Sequence, residues 1–176
     1  MGSRTDRRAR TRRKEGQEEE YEYVCPPWNF SWVVPQEICG SAWPESVANI
    51  DFLRSEGVGV VVSLSSERRP HRSAADSMEC HLIPVEEFED PTMKQITQFI
   101  DICDQARQAK KGVCVHCRMG RGRTGVMLAC YLMKFYSQPP DAAMRNVRLM
   151  RPGSVETREQ ERAVRKFHDY LHWGHE

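Results

Sequence analysis

From Val58 to Leu64 the chain runs Val-Gly-Val-Val-Val-Ser-Leu, a β-branched apolar stretch of the kind that forms a strand buried on both faces. Two shorter apolar stretches, Met78 to Ile83 and Val113 to His116, predict further strands. Around them the apolar spacing changes to that of a helix. Val47, Ile50 and Leu53 predict a helix over 45–56, opened by Pro44 and closed by Gly57. Ile96, Phe99, Ile100 and Cys103 share one face of a helix over 92–109, and residues 124–136 are helical in pattern. Pro139-Pro140 opens a helix through Met150 that Arg151-Pro152-Gly153 stops. Ala163, Val164, Phe167, Tyr170 and Leu171 point inward from a last helix over 156–173. Residues 65–77 read as a polar loop, 84–91 as an acidic loop, and 26–32 as an extended aromatic entry packed across the domain edge. Strands alternating with helices predict an α/β fold, a three-layer sandwich with a mostly parallel central sheet flanked by helices.

Composition divides the chain in two. Residues 1–22 hold a basic block (Arg4, Arg7, Arg8, Arg10, Arg12, Arg13, Lys14) and then Glu18-Glu19-Glu20, with almost nothing apolar to offset the entropy of ordering. They read as a disordered charged tail, solvated rather than a nuclear signal or an anionic-surface patch. Residues 23–173 form one domain, and about 150 residues suffice to bury roughly 70% of the unfolded surface without disulfides or metal. A net charge of +1 over 176 residues excludes a polycation that coats nucleic acid, so no stable nucleic-acid binding is expected. The seven cysteines are odd in number and match no secreted framework, and no signal-type stretch opens the chain. A reducing compartment follows, cytoplasmic with access to the nucleus. No CxxC or HExxH supports a metal, and no apolar run is long enough to span a membrane. Asn29-Phe30-Ser31 reads as a turn rather than a glycosylation site, and Asp6 disfavours myristoylation at Gly2.

The chemistry concentrates in Val113-Cys114-Val115-His116-Cys117-Arg118-Met119-Gly120-Arg121-Gly122-Arg123-Thr124-Gly125, where a strand ends, a glycine-rich turn follows and a helix begins. That order aims backbone N–H groups and the positive end of a helix into one cup, which suits a phosphate. The same potential favours a thiolate at Cys117. Arg123 can reach back across the cup and fork two phosphate oxygens, with Arg118, Met119, Gly120, Arg121 and Gly122 supplying the rest of the cradle. Thr124 is placed to donate its hydroxyl to the sulfur. The set fits covalent catalysis through a cysteinyl-phosphate, with no cofactor and no metal. Gly120-x-Gly122-x-x-Gly125 also fits a dinucleotide fingerprint, but the segment that follows is a helix with no second strand to carry an acidic residue. A buried cysteine beside an ordinary turn leaves the three arginines unexplained.

His-Cys-x5-Arg-Thr-Gly resembles the signature loop of the protein tyrosine phosphatase superfamily. The strings Asn29 to Val33, Leu128 to Leu132 and Arg151 to Thr157 are similar to the atypical dual-specificity subgroup, over about Pro26 to Tyr170. The resemblance implies the cysteine phosphatase fold and a shallow pocket for phosphotyrosine and phosphoserine or phosphothreonine. It also implies His116 as the residue that orients the loop and supports the thiolate. In similar sequences an aspartate precedes the phenylalanine of the upstream loop and acts as general acid; here Glu87 stands there. Its carboxyl lands about 1.5 Å further out, with Glu86 and Asp90 as fallback donors, against the plainer reading of a solvated acidic run. Gln160 is implied as the residue positioning the hydrolytic water, a surface glutamine being the alternative.

The expected partner is a phosphorylated protein or peptide, met by a monomer. Arg118 and Arg121, with Arg68, Arg69 and Arg72, suggest a more acidic substrate, so anionic lipid or RNA 5′ ends are the alternative. A binding module with impaired turnover is favoured only by the glutamate at 87, and a sulfur-transfer or arsenate-reducing thiol protein ranks lower. Cys114 and Cys130 read as buried spectators rather than traps for an oxidised Cys117, and His168, His172 and His175 as surface residues.

Overall fold

The computed structural model describes residues 23–174. The tail at 1–22 and His175 lie outside the described residues. Five strands form one sheet in the order β1-β2-β5-β3-β4, from β1 (Ser31–Val34), β2 (Ile38–Ser41), β3 (Val58–Ser63), β4 (Glu79–Leu82) and β5 (Gly112–His116). All neighbours are parallel except the edge hairpin β1-β2. The predicted mostly parallel sheet is thus present with an antiparallel edge.

The three apolar stretches became β3, β4 and β5. The hairpin strands β1 and β2 fall in the segment read as an extended entry and just after it. Each is only four residues long, too short for a period to show.

The helices are α1 (Val47–Ser55), α2 (Ala74–Ser77), α3 (Met93–Gln108), α4 (Gly122–Tyr136), α5 (Pro140–Met150) and α6 (Arg158–Trp173). α1 starts three residues after Pro44, because the Ser46 hydroxyl accepts from the Asn49 N–H and caps it there. α6 starts at Arg158 for the same reason, through a capping box between Thr157 and Gln160. The loop read as polar over 65–77 carries the single turn α2.

Alternation along the strands sorts two cores. Val61 and Cys114 pack with Ile50 and Leu53 of α1, whereas Val60, Val62, Val113 and Val115 pack under α3 and α4. α4 is buried along most of its length and therefore sits at the centre of its layer. Its N-terminus is fixed where β5 ends, at the carboxyl edge of the parallel strands. Open α/β sheets place their ligand crevices at that edge.

Candidate active site

Between β5 and α4 the backbone turns through Cys117 to Arg121, and Gly120 is the pivot. Its φ is +71°, and a Cβ there would lie 2.5 Å from the Ser41 carbonyl, so only glycine fits. The turn puts the Gly120 N–H 3.2 Å from Cys117 Sγ. Cys117 is 3% exposed at the floor of a cleft of about 450 Å³, whose walls include Glu87, Phe88, Arg123, Glu156 and Gln160.

Arg123 is buried in the first turn of α4, and its Nη1 donates to the Val85 carbonyl at 2.7 Å. Glu67 Oε1 lies 3.7 Å from the same nitrogen. The guanidinium thus ties the turn to the 84–91 loop and to the loop after β3, with its charge at the cleft. Glu67 had no mark in the sequence, because its loop reads as solvated polar chain.

His116 is fully buried between Ser63 and the turn. Its Nδ1 lies 3.2 Å from the Cys117 carbonyl and its Nε2 lies 2.7 Å from Ser63 Oγ. A carbonyl can only accept, so Nδ1 carries the proton and Nε2 accepts from the serine. Burial, with Arg123 and Arg69 adding to it, pushes the imidazole pKa down to about 4. The ring is neutral at pH 7, and it orients the turn without lending the sulfur a positive charge. A consequence is measurable. The unfolded chain takes up this proton near pH 6.5, and the folded protein only near 4. Stability is therefore full above about pH 6.5 and falls as pH drops toward 4, by about 2 kcal/mol between pH 7 and 5. Urea unfolding at the two pH values should show that difference in wild type and lose most of it in His116→Asn.

The Thr124 expectation is corrected. Its Oγ1 is buried without a hydrogen-bond partner among the described residues, so the hydroxyl does not hold the sulfur. The Gly120 N–H occupies that role. Among the acidic candidates, Glu87 lines the cleft and Glu86 and Asp90 do not. The Glu87 carboxylate meets Arg118 Nη1 at 3.3 and 3.5 Å, joining the acidic loop to the turn at the mouth. Gln160 is buried, not on the surface. Its Oε1 accepts from the Glu156 and Thr157 N–H groups and its Nε2 donates to the Glu89 carbonyl at 3.3 Å. Gly122 packs against that carboxamide so closely that a Cβ would come within 2.8 Å of Nε2. Gln160 thus backs the turn and the acidic loop together.

The residue that caps the end of α5 is central to the geometry of the turn. Arg151 is 1% exposed. Its Nη1 donates to the Asn29 carbonyl, Ser31 Oγ and the Gly40 carbonyl at 2.7–2.9 Å, and its Nη2 donates to the Gly120 carbonyl at 2.6 Å. One cation therefore bolts the turn to the β1-β2 hairpin. Asn29 Nδ2 adds bonds to the Met119 and Gly120 carbonyls at 3.1 and 3.2 Å. Met119 and Arg121 are exposed at the rim, where Arg121 lies over Trp28.

Cys114 faces the α1 layer across the sheet from α4, and burial raises the Cys130 thiol far above its ordinary range. The His168 and His172 rings lie 4.1 Å apart, tilted by 32°, at a crevice between α4 and α6 whose lining does not include Cys117. Among the described residues no three His, Cys, Asp or Glu side chains gather as a metal site would need, and no helix is long and apolar enough to cross a membrane.

The sequence model described as "PTP-SAK: Swiss Army Knife protein, DSP-PTPase phosphatase domain" matches residues 27–164. Mouse dual specificity protein phosphatase CDC14B is 26% identical over 164 residues, covering 84% of this chain and 33% of that protein. The tyrosine-protein phosphatase cdc-14 of Caenorhabditis elegans is 30% identical over 156 residues, covering 78% of this chain and 21% of that protein. The chain spans about a third or less of the length of these relatives. Two solved structures share the fold. The active form of Tk-PTP has a TM-score of 0.74 at 23% identity, covering 80% of this chain and 97% of that one. PTPMT1 in complex with PI(5)P has a TM-score of 0.73 at 18% identity, covering 81% and 96%.

Proposed function

The chain belongs to the Swiss Army Knife family of DSP-PTPase phosphatase domains, and from that premise we propose that it is a cysteine-dependent protein phosphatase acting on phosphotyrosine and on phosphoserine or phosphothreonine. The observation that carries the reading is the convergence of Cys117, Arg123 and Glu87 on one cleft, with the Gly120 N–H on the sulfur. The Cys117 thiolate attacks phosphorus while the P–O bond to the substrate breaks, and Glu87 gives the leaving oxygen its proton. Water then loses a proton to Glu87 and attacks the cysteinyl-phosphate. The S–P bond breaks, and inorganic phosphate leaves with the thiolate restored. Arg123 and the amides at the start of α4 oppose the charge on the equatorial oxygens throughout.

The strings Asn29 to Val33 and Arg151 to Thr157 resemble dual specificity protein phosphatase 23, which supports the dual preference. A nucleophile that must stay a thiol supports residence in a reducing compartment, cytoplasmic with access to the nucleus. A phosphate-binding module with impaired turnover is the second reading, favoured by the longer acid at 87 and by a Thr124 hydroxyl that holds no sulfur.

The test is hydrolysis of an aryl phosphate in EDTA. Persistent turnover, with a phosphoenzyme trapped on Cys117 by acid quench, supports the enzyme reading; tight phosphate binding with no turnover supports the module. Glu87→Gln is expected to lower kcat by about 10²-fold for a poor leaving group and much less for p-nitrophenolate, because only the poor one needs the proton. An equal loss for both would remove Glu87 from the role of acid.

A further inference from the structure

The amino end of the cleft rim carries a feature that a bare phosphate does not require. Trp28 and Trp43 flank Ala42, whose N–H donates to the Trp28 carbonyl at 2.9 Å, while the Trp43 N–H donates to the Arg118 carbonyl of the phosphate turn at 3.2 Å. Each tryptophan carries an arginine. The Arg121 guanidinium lies 5.5 Å from the Trp28 ring centre, and that of Arg68 lies 4.9 Å from the Trp43 ring centre. The Trp43 indole N–H also donates to the Arg69 carbonyl, which holds the Arg68-bearing loop against the ring. Two cations are thus fixed on aromatic faces along one edge of the phosphate turn. Both are exposed, and neither has a carboxylate partner among the described residues. Arg118 of the turn is already engaged by Glu87.

Carboxylates stand on other parts of the wall, where Glu87 and Glu156 line the cleft, and on the acidic loop beside it. Glu86, Glu89 and Asp90 of the acidic loop and Glu156 before α6 carry no cation partner among the described residues, and the Gln160–Glu89 bond joins the two segments. A uniformly anionic surface laid over the cleft meets repulsion on that side. A peptide can place its acidic residues on one side only. A stacked arginine keeps its N–H fork free at the edge and loses little further entropy on meeting a carboxylate.

We propose that Arg121 and Arg68, held on Trp28 and Trp43, form a subsite for acidic side chains flanking the phosphorylated residue, so that the substrates are phosphoproteins with an acidic flank. The proposal rests on the phosphatase reading above and adds its selectivity.

The experiment uses the full chain and four phosphotyrosine peptides: two glutamates before the phosphoresidue, two glutamates after it, alanines, and lysines. Aryl phosphate turnover is measured alongside. One of the acidic peptides should exceed the alanine peptide about three- to tenfold in kcat/KM, through KM, with the lysine peptide lowest. The preference should shrink in 0.5 M NaCl. Arg68→Gln should lower the acidic-to-alanine ratio while leaving aryl phosphate turnover unchanged. Arg121→Gln is judged by the same ratio. Equal kcat/KM for acidic and alanine peptides, or a preference that survives both substitutions, overturns the subsite. So does faster turnover of phosphoinositide micelles than of any peptide, with loss on the same two substitutions, since the anionic partner is then a lipid. Absence of aryl phosphate turnover in wild type overturns the phosphatase reading itself, which separates the two failures.

Discussion

Cys117→Ser is expected to abolish turnover, with a loss on the order of 10⁴-fold or more, while inorganic phosphate still binds. A serine hydroxyl stays protonated near pH 7 and is a poor nucleophile unless a base takes its proton. The neighbouring imidazole cannot serve as that base, because His116 spends Nδ1 on the Cys117 carbonyl and Nε2 on Ser63. The groups that hold phosphate are unaffected. The amides opening α4 are backbone, and Arg123 is anchored away from residue 117, at the Val85 carbonyl. The hydroxyl is smaller than the thiol and introduces no clash, so the buried turn should keep its shape. The measurement pairs initial rates on an aryl phosphate with the shift in Tm that saturating phosphate causes. Vanished rates with the Tm shift retained identify Cys117 as the nucleophile. Rates within tenfold of wild type would mean that phosphorus is attacked by something else, water included, and the covalent route would fall.

How far the chain announced this site depends on the distance over which each part is determined. The turn from Cys117 to Arg123 was legible because its parts are adjacent: a strand supplies the approach, glycines the sharp backbone path, and a helix start the donors. β3 was legible as a continuous β-branched run, and the helices α3 to α6 because an apolar period repeats over enough residues to show. The hairpin was not. Ser31–Val34 and Ile38–Ser41 are too short to carry a period, and their order rests on Ile38 to Ser41 pairing with Val113 to His116, seventy-five residues away. Side-chain roles that depend on fold alone were equally silent. Glu67 beside Arg123 is one, and the unpartnered Thr124 hydroxyl, which local order had aimed at the sulfur, is another. Gln160 shows the mixture: its spacing from Thr157 forms a capping box, yet its bond to Glu89 spans 71 residues.

Arg151→Met is expected to destabilise the fold by about 3–5 kcal/mol and, in the fraction still folded, to lower kcat by at least about tenfold. The stability cost follows from what the arginine leaves behind. The carbonyls of Asn29, Gly40 and Gly120 and the hydroxyl of Ser31 are drawn onto two terminal nitrogens of one buried cation, and methionine offers them no donor. The wild-type arrangement is itself costly, since Nε is buried without a partner and burial lowers the guanidinium pKa from its ordinary value. Arg151 survives there because its four bonds bring three segments to one point. The effect on kcat follows from Gly120, whose carbonyl is held by Arg151 and whose N–H holds Cys117 Sγ. Without Arg151 the carbonyl keeps only the longer bond from Asn29 Nδ2, so the peptide planes on either side of Gly120 loosen and the donor leaves the sulfur. A merely structural arginine would lower the urea midpoint and leave kcat per folded molecule unchanged. A positioning arginine changes kcat as well, with KM for a small aryl phosphate moving less. Arg151→Lys separates the two further, because one ammonium keeps the charge but its three donors cannot span four acceptors. Its expected place is between wild type and methionine in stability, with kcat closer to methionine. Kinetics of wild type, lysine and methionine at a temperature where all three are folded decide whether this buried cation acts through the geometry of the turn or only through the strength of the fold.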